Sequence, residues 1–591
     1  MTLRLPFQLL LLALITLGVY YPSIFAGLNP VDDVNRVTLL NNLASFDFYR
    51  LFFPGGGYYY RPITASTFYL DQMFWSADAL FMHVENILLH LINTLLVFCI
   101  ARAICRSSKK NLPNWLPLVM ASAFALHPIN TEAVCWISGR YDLLATTFIL
   151  CSTWLLLFVP RQTFRWTWFV ALLPAFLACL SKETALFFFG GAVALIFASC
   201  RESSPDLVGT IKKFALPFFF WCAGALAYLF TRSMALQSRD SGIKTVLKSV
   251  VAKGDGVGLE WLEPIRITLK VTGFYIKKVF FPWPLNFSIT EISDLYVAVG
   301  VLALLVFVYL LFQICQGRLY AALFIAGILV GSAALLVVFG KMAWTLLAER
   351  YLYTPAAFFV LGWTAWMARC QNLRVFNACK ILLLLFVASG SMITIQRTLV
   401  WSDPVALAED TVAKSPKFGP ARKDLANFYF SQGRVEEGRL LLEGTMNLSD
   451  LKGYVSDDIS MAALLAREGK LEEAHALLVK TLENPGKQFS RVAEGILKLN
   501  HKRLGAANDP TAAAEIRLEN VTLLERLIKI RNTPFLEYQL AKEYMALESY
   551  DKASALFESA HRRSTDSAFF KAAAKKLAAK MAQKAAERNE D

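Results

Sequence analysis

Apolar runs of close to twenty residues follow one another through the first two thirds of this chain and restrict its fold more than any other feature. Eleven runs occur: 7–27, 79–101, 115–126, 143–159, 167–180, 184–200, 214–231, 294–314, 319–338, 351–368 and 376–395. About 20 apolar residues in a helix cross the hydrocarbon core of a bilayer. The chain is 56% hydrophobic over 591 residues, which is more than soluble proteins usually reach. The sequence therefore predicts an all-α, polytopic membrane protein with about eleven spans.

The composition changes near "QRTLVWSDP", residues 396–404, where the apolar runs stop. From Trp401 onward the chain is rich in Ala, Glu, Lys and Leu, which is typical of soluble helices. We predict a membrane domain over residues 1–400 and a helical domain over residues 401–591. The opening "MTLRLPFQLLLLALITLGVYYPSIFAG" is longer than the apolar region of a usual signal peptide and lacks a clear cleavage site, so we interpret it as a retained first helix.

The soluble part carries a weak internal repeat in which two small residues stand twelve positions apart. The pairs are Ala426 and Gly438, Ala462 and Ala474, and Ala541 and Ala553. Small residues at this offset let two antiparallel helices approach closely, a pattern that resembles the tetratricopeptide repeat. The third pair lies far beyond the second, so we expect a degenerate helix pair between them. An irregular helical bundle is the alternative interpretation.

Basic loops predict the topology. The connections richest in Lys and Arg are "RSSKK" (106–110), "PRQTFR" (160–165) and "RESSPDLVGTIKK" (201–213). Their charge places them in the cytoplasm, together with the N-terminus. Segment 264–284 includes Arg266, Lys270 and Lys277 on one helical face, and each such charge costs about 2.5–3.5 kcal/mol at the centre of a span. We therefore expect this segment to form an interfacial helix, which leaves the C-terminal domain outside the cytoplasm.

Polar stretches between the spans then gather on the external face. They are residues 28–77, 127–142, 181–184, 232–293 and 340–350. The cytoplasmic loops are short and carry little beyond basic anchors. Acids and bases that alternate at several span ends indicate a polar cavity at the lipid boundary, so any chemistry is expected on the external face.

Two adjacent carboxylates, Asp32 and Asp33, stand in "NPVDDVNR" directly after the first span. Other ionisable residues at external span ends are Arg61, His127, Glu132, Arg140, Asp142, Lys182, Glu183, Glu349 and Arg350. A solvated loop would explain an isolated aspartate pair, and a snorkelling side chain would explain a single lysine. A phosphate held at this depth must be paired with Arg or Lys, and a nearby carboxylate can act as general base toward a hydroxyl. The combination favours transfer chemistry on a lipid phosphate.

Five sequence blocks occur in a fixed order. They are "YRPITASTFYLDQMFWSADALFMHVENILLHLINTLLVF" (60–98), "HPINTEAVCWISGRYDLLATTFILCS" (127–152), "SKE" (181–183), "FFPWPLNFS" (280–288) and "AERYLYTPAAFF" (348–359). With the repeats that follow, they resemble the transmembrane-and-tetratricopeptide-repeat glycosyltransferases, which are integral-membrane enzymes of the GT-C class.

The resemblance implies a GT-C fold and an enzyme that takes a sugar, mannose or another hexose or pentose, from a polyprenyl-phosphate carrier and inverts its anomeric carbon. An acidic residue of the first external loop is the catalytic base in that class. Either aspartate matches this position, and we expect Asp33 to be the base and Asp32 to support it. The expected partners are the polyprenyl-phosphate-linked sugar, membrane lipid and a protein or glycan acceptor, with the repeat domain as the expected place of protein recognition.

Basic residues near span ends bind the carrier phosphate in the GT-C class. The matching positions are Arg61, Lys182, Arg350 and, less clearly, Arg140. Acidic residues that orient these cations or bind sugar hydroxyls are expected at Glu132, Asp142, Glu183 and Glu349, and further pocket residues at His127, Tyr351 and Tyr353.

A metal cofactor is not predicted. His83 and His90 lie seven residues apart on one predicted helix, but no carboxylate pair completes a site there, so we expect them to hydrogen-bond within the bundle. Some GT-C enzymes bind a divalent metal through an Asp-x-Asp motif, whereas the aspartates here are adjacent. Nucleic acid is not an expected partner, since the basic residues behind the net charge of +14 are scattered along membrane edges.

The chain resembles a bacterial member of the class, because it is shorter than the eukaryotic relatives and carries no retention signal in "AERNED". We therefore expect an inner-membrane protein with periplasmic repeats, or an endoplasmic-reticulum protein if it is eukaryotic. Two other functions remain as alternatives. One is a non-catalytic scaffold that recruits partners through its repeats. The other is a flippase for a lipid-linked sugar, which would need polar residues across the membrane midplane, where the sequence shows few.

Overall fold

The computed structural model of this chain is built from helices. It describes residues 4–41, 48–54, 59–108, 110, 112–158, 166–236, 262–340, 345–446, 455–483, 489–507, 509–530 and 533–563. Within these ranges there is no β-strand, and Ile289 and Leu347 form an isolated antiparallel bridge. The all-α class predicted from the sequence is confirmed. Contacts divide the chain into two compact units, Met1–Phe418 and Gly419–Asp591.

The first unit contains the apolar helices and the short helices that connect them. They are α1 (Leu5–Tyr20), α2 (Asp33–Asn41), α3 (Phe48–Phe52), α4 (Pro62–Trp75), α5 (Ala79–Ser107), α6 (Leu116–Ala125), α7 (Asn130–Cys135), α8 (Arg140–Phe158), α9 (Trp166–Val170), α10 (Leu172–Ser181), α11 (Phe188–Glu202), α12 (Leu207–Leu236), α13 (Leu262–Phe280), α14 (Tyr296–Cys315), α15 (Leu319–Gly340), α16 (Tyr353–Met367), α17 (Leu373–Ser402) and α18 (Pro404–Lys414).

Eight helical segments among the described residues are long and apolar enough to span a membrane, which confirms the prediction of a polytopic membrane protein. They are Leu5–Phe25, Ala79–Ser107, Ile137–Phe158, Glu183–Glu202, Leu207–Leu236, Tyr296–Cys315, Leu319–Phe339 and Leu373–Ser402. The other three predicted spans form shorter helices, since α6 and α10 have 10 residues each and α16 has 15. The described residues therefore contain eight full-length candidate spans and three shorter apolar helices, where the sequence predicted about eleven spans.

The short helices stop where the chain turns into its polar segments, and side chains of α5 bind the carbonyls left free there. His90 Nε2 lies 3.1 Å from the carbonyl oxygen of Ala125, at the end of α6. The side-chain amide of Asn86 donates to the carbonyl of Trp136 over 2.8 Å, between α7 and α8. Irregular backbone is tolerated at membrane depth only where protein groups satisfy it in this way.

Polar stretches predicted to share the external face meet at one end of the helices. The backbone N–H of Tyr60 donates to Glu183 over 2.7 Å, which joins the first external stretch to the loop after α10. The backbone N–H of Glu349 donates to Glu132 over 2.8 Å, which joins the loop after α15 to the loop after α6. Residues far apart in sequence are thereby brought into one region.

Helix α13 is the segment predicted to lie outside the spans, and it is not among the eight candidate spans. It packs closely on α14, since a Cβ on Gly273 would lie 2.7 Å from the backbone nitrogen of Gly300. Two of its cations are paired, because Arg266 and Lys270 lie 3.1 Å and 2.6 Å from Asp294. The chain between α12 and α13 lies outside the described residues, so the idea that this loop closes over a carrier stays a prediction.

The second unit is a succession of helix pairs. Its helices are α19 (Gly419–Ser431), α20 (Val435–Met446), α21 (Val455–Arg467), α22 (Leu471–Glu483), α23 (Phe489–Ala506), α24 (Pro510–Ile530), α25 (Pro534–Ala546) and α26 (Tyr550–Arg563). Each pair of small residues noted in the sequence lies on two successive helices, and Ala474 and Ala553, for example, are fully buried. The longer helices α23 and α24 occupy the place of the expected degenerate pair. Their assignment to the tetratricopeptide repeat stays a prediction.

Candidate functional site

A cavity of about 630 Å³ lies at the end of the membrane helices where the polar stretches meet. Ionisable side chains on its wall are Asp32, Arg36, Arg61, Asp142, Lys182, Glu183, Arg232 and Arg350. Another part of the wall is apolar and comes from the ends of the membrane helices, including Leu229 of α12, Leu336 of α15 and Phe187 before α11. The basic side chains outnumber the acidic ones, so the cavity suits an amphiphilic ligand with an anionic group.

The two adjacent aspartates have different surroundings. Asp33 is 1% exposed, and its carboxylate accepts hydrogen bonds from the backbone N–H of Asn29 (3.1 Å) and from the backbone N–H (3.2 Å) and hydroxyl (2.7 Å) of Ser138. Asp32 lines the cavity, and its carboxylate accepts no hydrogen bond from the described residues. Asp32 is therefore the aspartate that faces the cavity, whereas Asp33, which the sequence analysis expected to be the base, joins the first loop to the turn before α8.

The buried position of Asp33 changes its acidity. Burial raises the pKa of Asp33 to about 6, although the hydrogen bond from Ser138 lowers it in part. Arg36 also favours the ionised form, whereas the neighbouring charge of Asp32 opposes it. The first loop thus contains a buried carboxyl group that titrates close to neutral pH, next to a carboxylate that faces the cavity.

Arg61 is held at the beginning of α4 by a carboxylate from the loop after α10. Its Nε lies 2.8 Å from Glu183, and its guanidinium lies over the rings of Tyr59 and Tyr141, at 4.3 Å and 4.4 Å from their centroids. Burial alone would lower the pKa of Arg61, but the charge and hydrogen bond of Glu183 together with Tyr141 and Tyr59 more than offset this effect, so the pKa is raised. Arg61 is therefore a fixed cation on the cavity wall.

Lys182 follows α10 and is paired with the first turn of α8. Its Nζ lies 2.5 Å from Asp142 and 5.3 Å from the ring centroid of Tyr351. Burial lowers the pKa of Lys182, Asp142 raises it, and both Arg350 and Arg61 lower it further. The three predicted phosphate-binding cations therefore lie close enough to repel one another, a situation that an anionic ligand between them would relieve.

Arg350 is held at the cavity by Glu132 of α7. Glu132 accepts hydrogen bonds from the Arg350 guanidinium and, at 2.8 Å and 3.1 Å, from the backbone N–H groups of Glu349 and Arg350. Arg350 also donates to the hydroxyl of Thr345 over 2.9 Å. Glu132 does not line the cavity itself, so it acts through the cation, which is one of the two roles expected for it.

Glu349 points away from the cavity toward α13. Its carboxylate lies 2.6 Å from Lys278 Nζ, with both side chains almost fully buried, and it accepts the backbone N–H of Asn286 over 3.0 Å. Helix α13 is thereby tied through Lys278 and Glu349 to the segment that carries Arg350. Glu349 is not a wall residue, and nothing in the sequence pattern pointed to Lys278 as its partner.

Arg140 does not line the cavity, contrary to its predicted role in binding phosphate. Its guanidinium is 1% exposed and lies 2.6 Å from Asp71 and 3.0 Å from Glu85, and its Nε donates to Asn86 over 3.1 Å. These bonds join α4, α5 and α8, so Arg140 has a structural role.

Two other predicted pocket residues also lie outside the cavity. The hydroxyl of Tyr353 lies 2.7 Å from His90 Nδ1 within the helical core. His127 Nε2 lies 2.9 Å from the carbonyl of Val279, which fixes the end of α13, and burial lowers the pKa of His127 to about 4. Both side chains contact other helices in the interior of the protein and not the cavity. Tyr351, Asp142 and Glu183 line the cavity as predicted.

Sequence reasoning missed several wall residues. Arg36, Tyr59, Tyr141, Tyr228 and Arg232 all line the cavity. Arg36 stands four residues after Asp32 in "NPVDDVNR", and residues four apart share a helix face. That spacing was a usable signal, whereas Tyr228 and Arg232 lie within the long apolar helix α12 and gave none.

The arrangement can bind an anion and accept a proton. The cations Arg61, Lys182 and Arg350 are each oriented by a carboxylate, and the carboxylate of Asp32 faces the same cavity. Across the ranges that the structure describes, no group of three or more His, Cys, Asp or Glu side chains is arranged to hold a metal ion.

Comparison with known proteins identifies relatives, although no family model matches the chain. It is 30% identical over 154 residues to the protein O-mannosyl-transferase F38B6.6 of Caenorhabditis elegans, covering 26% of this chain and 21% of that protein. It is 32% identical over 181 residues to Tmtc1 of Drosophila melanogaster, covering 29% and 19%. It is 24% identical over 435 residues to TMTC1 of Homo sapiens, covering 64% and 46%.

All three relatives are named protein O-mannosyl-transferases. The resemblance drawn from the ordered sequence blocks is therefore confirmed, and the chain is similar to the TMTC proteins. The aligned parts span less than half the length of these relatives.

Proposed function

We propose that this chain is a membrane glycosyltransferase that transfers a sugar from a polyprenyl-phosphate carrier to a hydroxyl group of a protein. The observation that supports this most strongly is the cavity itself. It combines the carboxylate of Asp32, which accepts no hydrogen bond from the described part of the chain, with three oriented cations and an apolar wall at the ends of membrane helices. The similarity to protein O-mannosyl-transferases supports the same class of reaction.

The protein binds both the isoprenoid chain and the phosphate of the donor. Its isoprenoid chain lies in the membrane and reaches the cavity along the apolar wall formed by α12 and α15. Its phosphate binds among Arg61, Lys182 and Arg350, where its charge relieves the repulsion between the cations. Charge-assisted hydrogen bonds of this kind are shorter and about twice as strong as neutral ones.

The acceptor hydroxyl is activated by Asp32. The acceptor oxygen forms a bond to the anomeric carbon while its proton passes to the Asp32 carboxylate, and the bond between that carbon and the phosphate oxygen breaks. The electron pair leaves with the polyprenyl phosphate. A base on one side of the sugar and a leaving phosphate on the other give inversion of the anomeric carbon.

The cations also stabilise the leaving group. The sugar phosphodiester carries one negative charge, and the polyprenyl phosphate that departs gains a second ionisable oxygen. Charge thus develops on the phosphate during bond breaking, next to cations that are already oriented by Glu183, Asp142 and Glu132. Preorganised charges of this kind lower the barrier because they need no rearrangement at the moment of reaction.

The cavity is expected on the extracytoplasmic side. The described basic residues Lys110 and Arg201, which follow α5 and end α11, contact the carbonyls of Cys370 and Cys315 at the opposite ends of the helices, and the charge bias of membrane proteins assigns such loops to the cytoplasm. The sequence also predicts that the C-terminal domain lies outside the cytoplasm, and we propose it as the part of the chain that recognises the protein acceptor.

The test is transfer of labelled mannose from a polyprenyl phosphate to serine- and threonine-containing peptides by the purified full-length protein in lipid nanodiscs. We expect transfer by the wild type and at least about a hundredfold lower kcat for Asp32→Asn, the usual minimum for loss of a general base. The KM for the donor should change little, because Asp32 does not bind the phosphate. Transfer at the wild-type rate by Asp32→Asn would rule out Asp32 as the base, and no transfer by the wild type with any polyprenyl-phosphate sugar would rule out the function.

A further inference from the structure

Arg36 is a cation of the cavity that the reaction described above does not use. It lies on α2, where its backbone N–H donates to the carbonyl of Asp32 over 3.1 Å, so the two residues are one helical turn apart. Its guanidinium lies 4.6 Å from the ring centroid of Phe68 and 5.1 Å from that of Tyr141. An arginine held by aromatic rings keeps N–H donors free, and it can bind a carboxylate with two parallel hydrogen bonds.

Arg36 forms no ion pair with the residues that the structure describes. Arg61, Lys182 and Arg350 each have a carboxylate within 4.0 Å, whereas Arg36 has none among the described residues. Its Nε is buried without a hydrogen-bond partner in the same part of the chain. The nearby carboxylate of Asp33 already accepts three hydrogen bonds from Asn29 and Ser138. Arg36 is half-buried in the cavity wall, and a buried N–H group without a partner is costly, so the geometry favours an anion supplied by a ligand.

The position of Arg36 indicates which ligand supplies that anion. Residues four apart on a helix have Cβ atoms about 5–6 Å apart, so Arg36 lies beside the base, Asp32. The acceptor hydroxyl must also lie beside the base, and the leaving phosphate must lie on the far side of the anomeric carbon. The three ion-paired cations already serve that phosphate.

We propose that Arg36 binds a carboxylate of the acceptor polypeptide, so that the protein prefers hydroxyl residues with an acidic neighbour in the sequence or in space. The inference rests on the proposed function and adds the chemistry of the acceptor to it. Arg36 is thus a specificity residue that positions the acceptor for attack, and Asp32 remains the group that takes its proton.

The experiment uses three synthetic peptides that differ only beside a single threonine, where they carry Glu, Gln or Lys. With the full-length protein and polyprenyl-phosphate mannose, we expect a KM about tenfold lower for the Glu peptide than for the Gln peptide, the usual effect of a hydrogen bond to a charged group. The preference should disappear in Arg36→Gln, reverse toward the Lys peptide in Arg36→Glu and be kept in part by Arg36→Lys. The KM for the donor should stay unchanged.

Arg374→Glu is the matched control, because it makes the same change of charge at an exposed residue of α17, at the end of that helix remote from the cavity. It should leave the order of the three peptides as in the wild type. Equal KM values for the three wild-type peptides, or a rise in donor KM in Arg36→Gln with no change in peptide preference, would overturn the inference while leaving the proposed transfer intact. Absence of transfer to every peptide would instead refute the proposed function.

Discussion

At the scale of single residues, neighbouring side chains of the same type have separate roles. Asp32 and Asp33 are adjacent, yet one faces the cavity and the other is buried against Ser138. The sequence predicted that this pair belongs to the site, but not which member faces the ligand. That choice depends on the start of α2 and on a hydrogen-bond donor 105 positions away in the chain, and neither leaves a local pattern in the sequence.

The raised pKa of Asp33 predicts a pH dependence of stability. Folding raises this pKa from 3.8 to about 6, so the folded state binds the proton more tightly than the unfolded state. The resulting stabilisation of the folded state is fully present below about pH 4 and is lost as the pH rises through 6. A rise of about two units in the pKa corresponds to about 3 kcal/mol of unfolding free energy. Relative to Asp33→Asn, the wild type should therefore lose up to about 3 kcal/mol of unfolding free energy between pH 4 and pH 7.

Thermal unfolding of both proteins in detergent across this pH range measures the difference. A difference between wild type and variant that stays constant with pH would show that Asp33 titrates as an ordinary exposed carboxyl group. A difference that grows in favour of the wild type as the pH rises would show that its ionised form is the stabilised one.

At the scale of elements, charged pairs between helices position the cations of the cavity. The pair of Lys278 and Glu349 connects α13 to the segment before α16, where Arg350 reaches the cavity. The apolar runs and the amphipathic nature of α13 were evident in the sequence. Their partners were not, because pairing between helices depends on packing that a single sequence does not encode locally.

Removing Lys278 should destabilise the protein and weaken donor binding. Lys278→Met leaves Glu349 buried without a counter-charge, which costs about 3–5 kcal/mol when a buried pair is broken, and it releases the segment that holds Arg350. We expect a lower midpoint of thermal unfolding and a higher KM for the donor. Lys277→Met is the matched control, since Lys277 is more exposed and bonds only the carbonyl of Trp283 among the described residues.

Adding Glu349→Gln to Lys278→Met should recover part of the stability, because it removes the uncompensated charge. If Lys277→Met and Lys278→Met unfold at the same temperature, the buried pair does not hold this part of the structure.

Alanine substitutions at two glycines should change the stability of the protein in opposite directions, because only one of the glycines lies in the close contact between α13 and α14. Gly273→Ala would place a Cβ 2.0 Å from the carbonyl oxygen of Tyr296, so the helices must separate, and overpacking of this kind costs about 1–3 kcal/mol. Gly18→Ala in α1 meets nothing within 4 Å and should be neutral or stabilising, because alanine favours helix over glycine by about 1 kcal/mol. Equal thermal stability of the two variants would contradict the close contact.

At the scale of the whole molecule, the sequence predicted the all-α class and the meeting of the polar stretches better than it predicted the number of full-length membrane spans. The polar stretches predicted to share one face do meet, because the helices alternate in direction. Three apolar runs were counted as spans but form short helices. At the end of one of them, α6, His90 of α5 contacts the carbonyl of Ala125, and hydropathy alone does not register such a contact. Arg140 was misplaced for a similar reason, because its partners Asp71 and Glu85 bury it among helices.

The orientation in the membrane can be tested by cysteine labelling. Glu291 is exposed near the cavity end of the helices, and Glu202 is exposed at the opposite end of α11. A membrane-impermeant maleimide added outside right-side-out vesicles should label Glu291→Cys above the level of the wild type, which has ten native cysteines, and should not label Glu202→Cys. The reverse pattern would place the cavity in the cytoplasm.

The most direct test of a phosphate site in this cavity is equilibrium binding of the polyprenyl-phosphate carrier without its sugar. The full-length protein in nanodiscs should bind polyprenyl phosphate at least about tenfold more tightly than the uncharged polyprenol. This preference should be lost in Arg61→Gln/Glu183→Gln, which removes one oriented cation together with its carboxylate and leaves no unpaired charge. Equal affinity of the wild type for the phosphate and the alcohol, or a preference unchanged in the double variant, would contradict a phosphate site in this cavity.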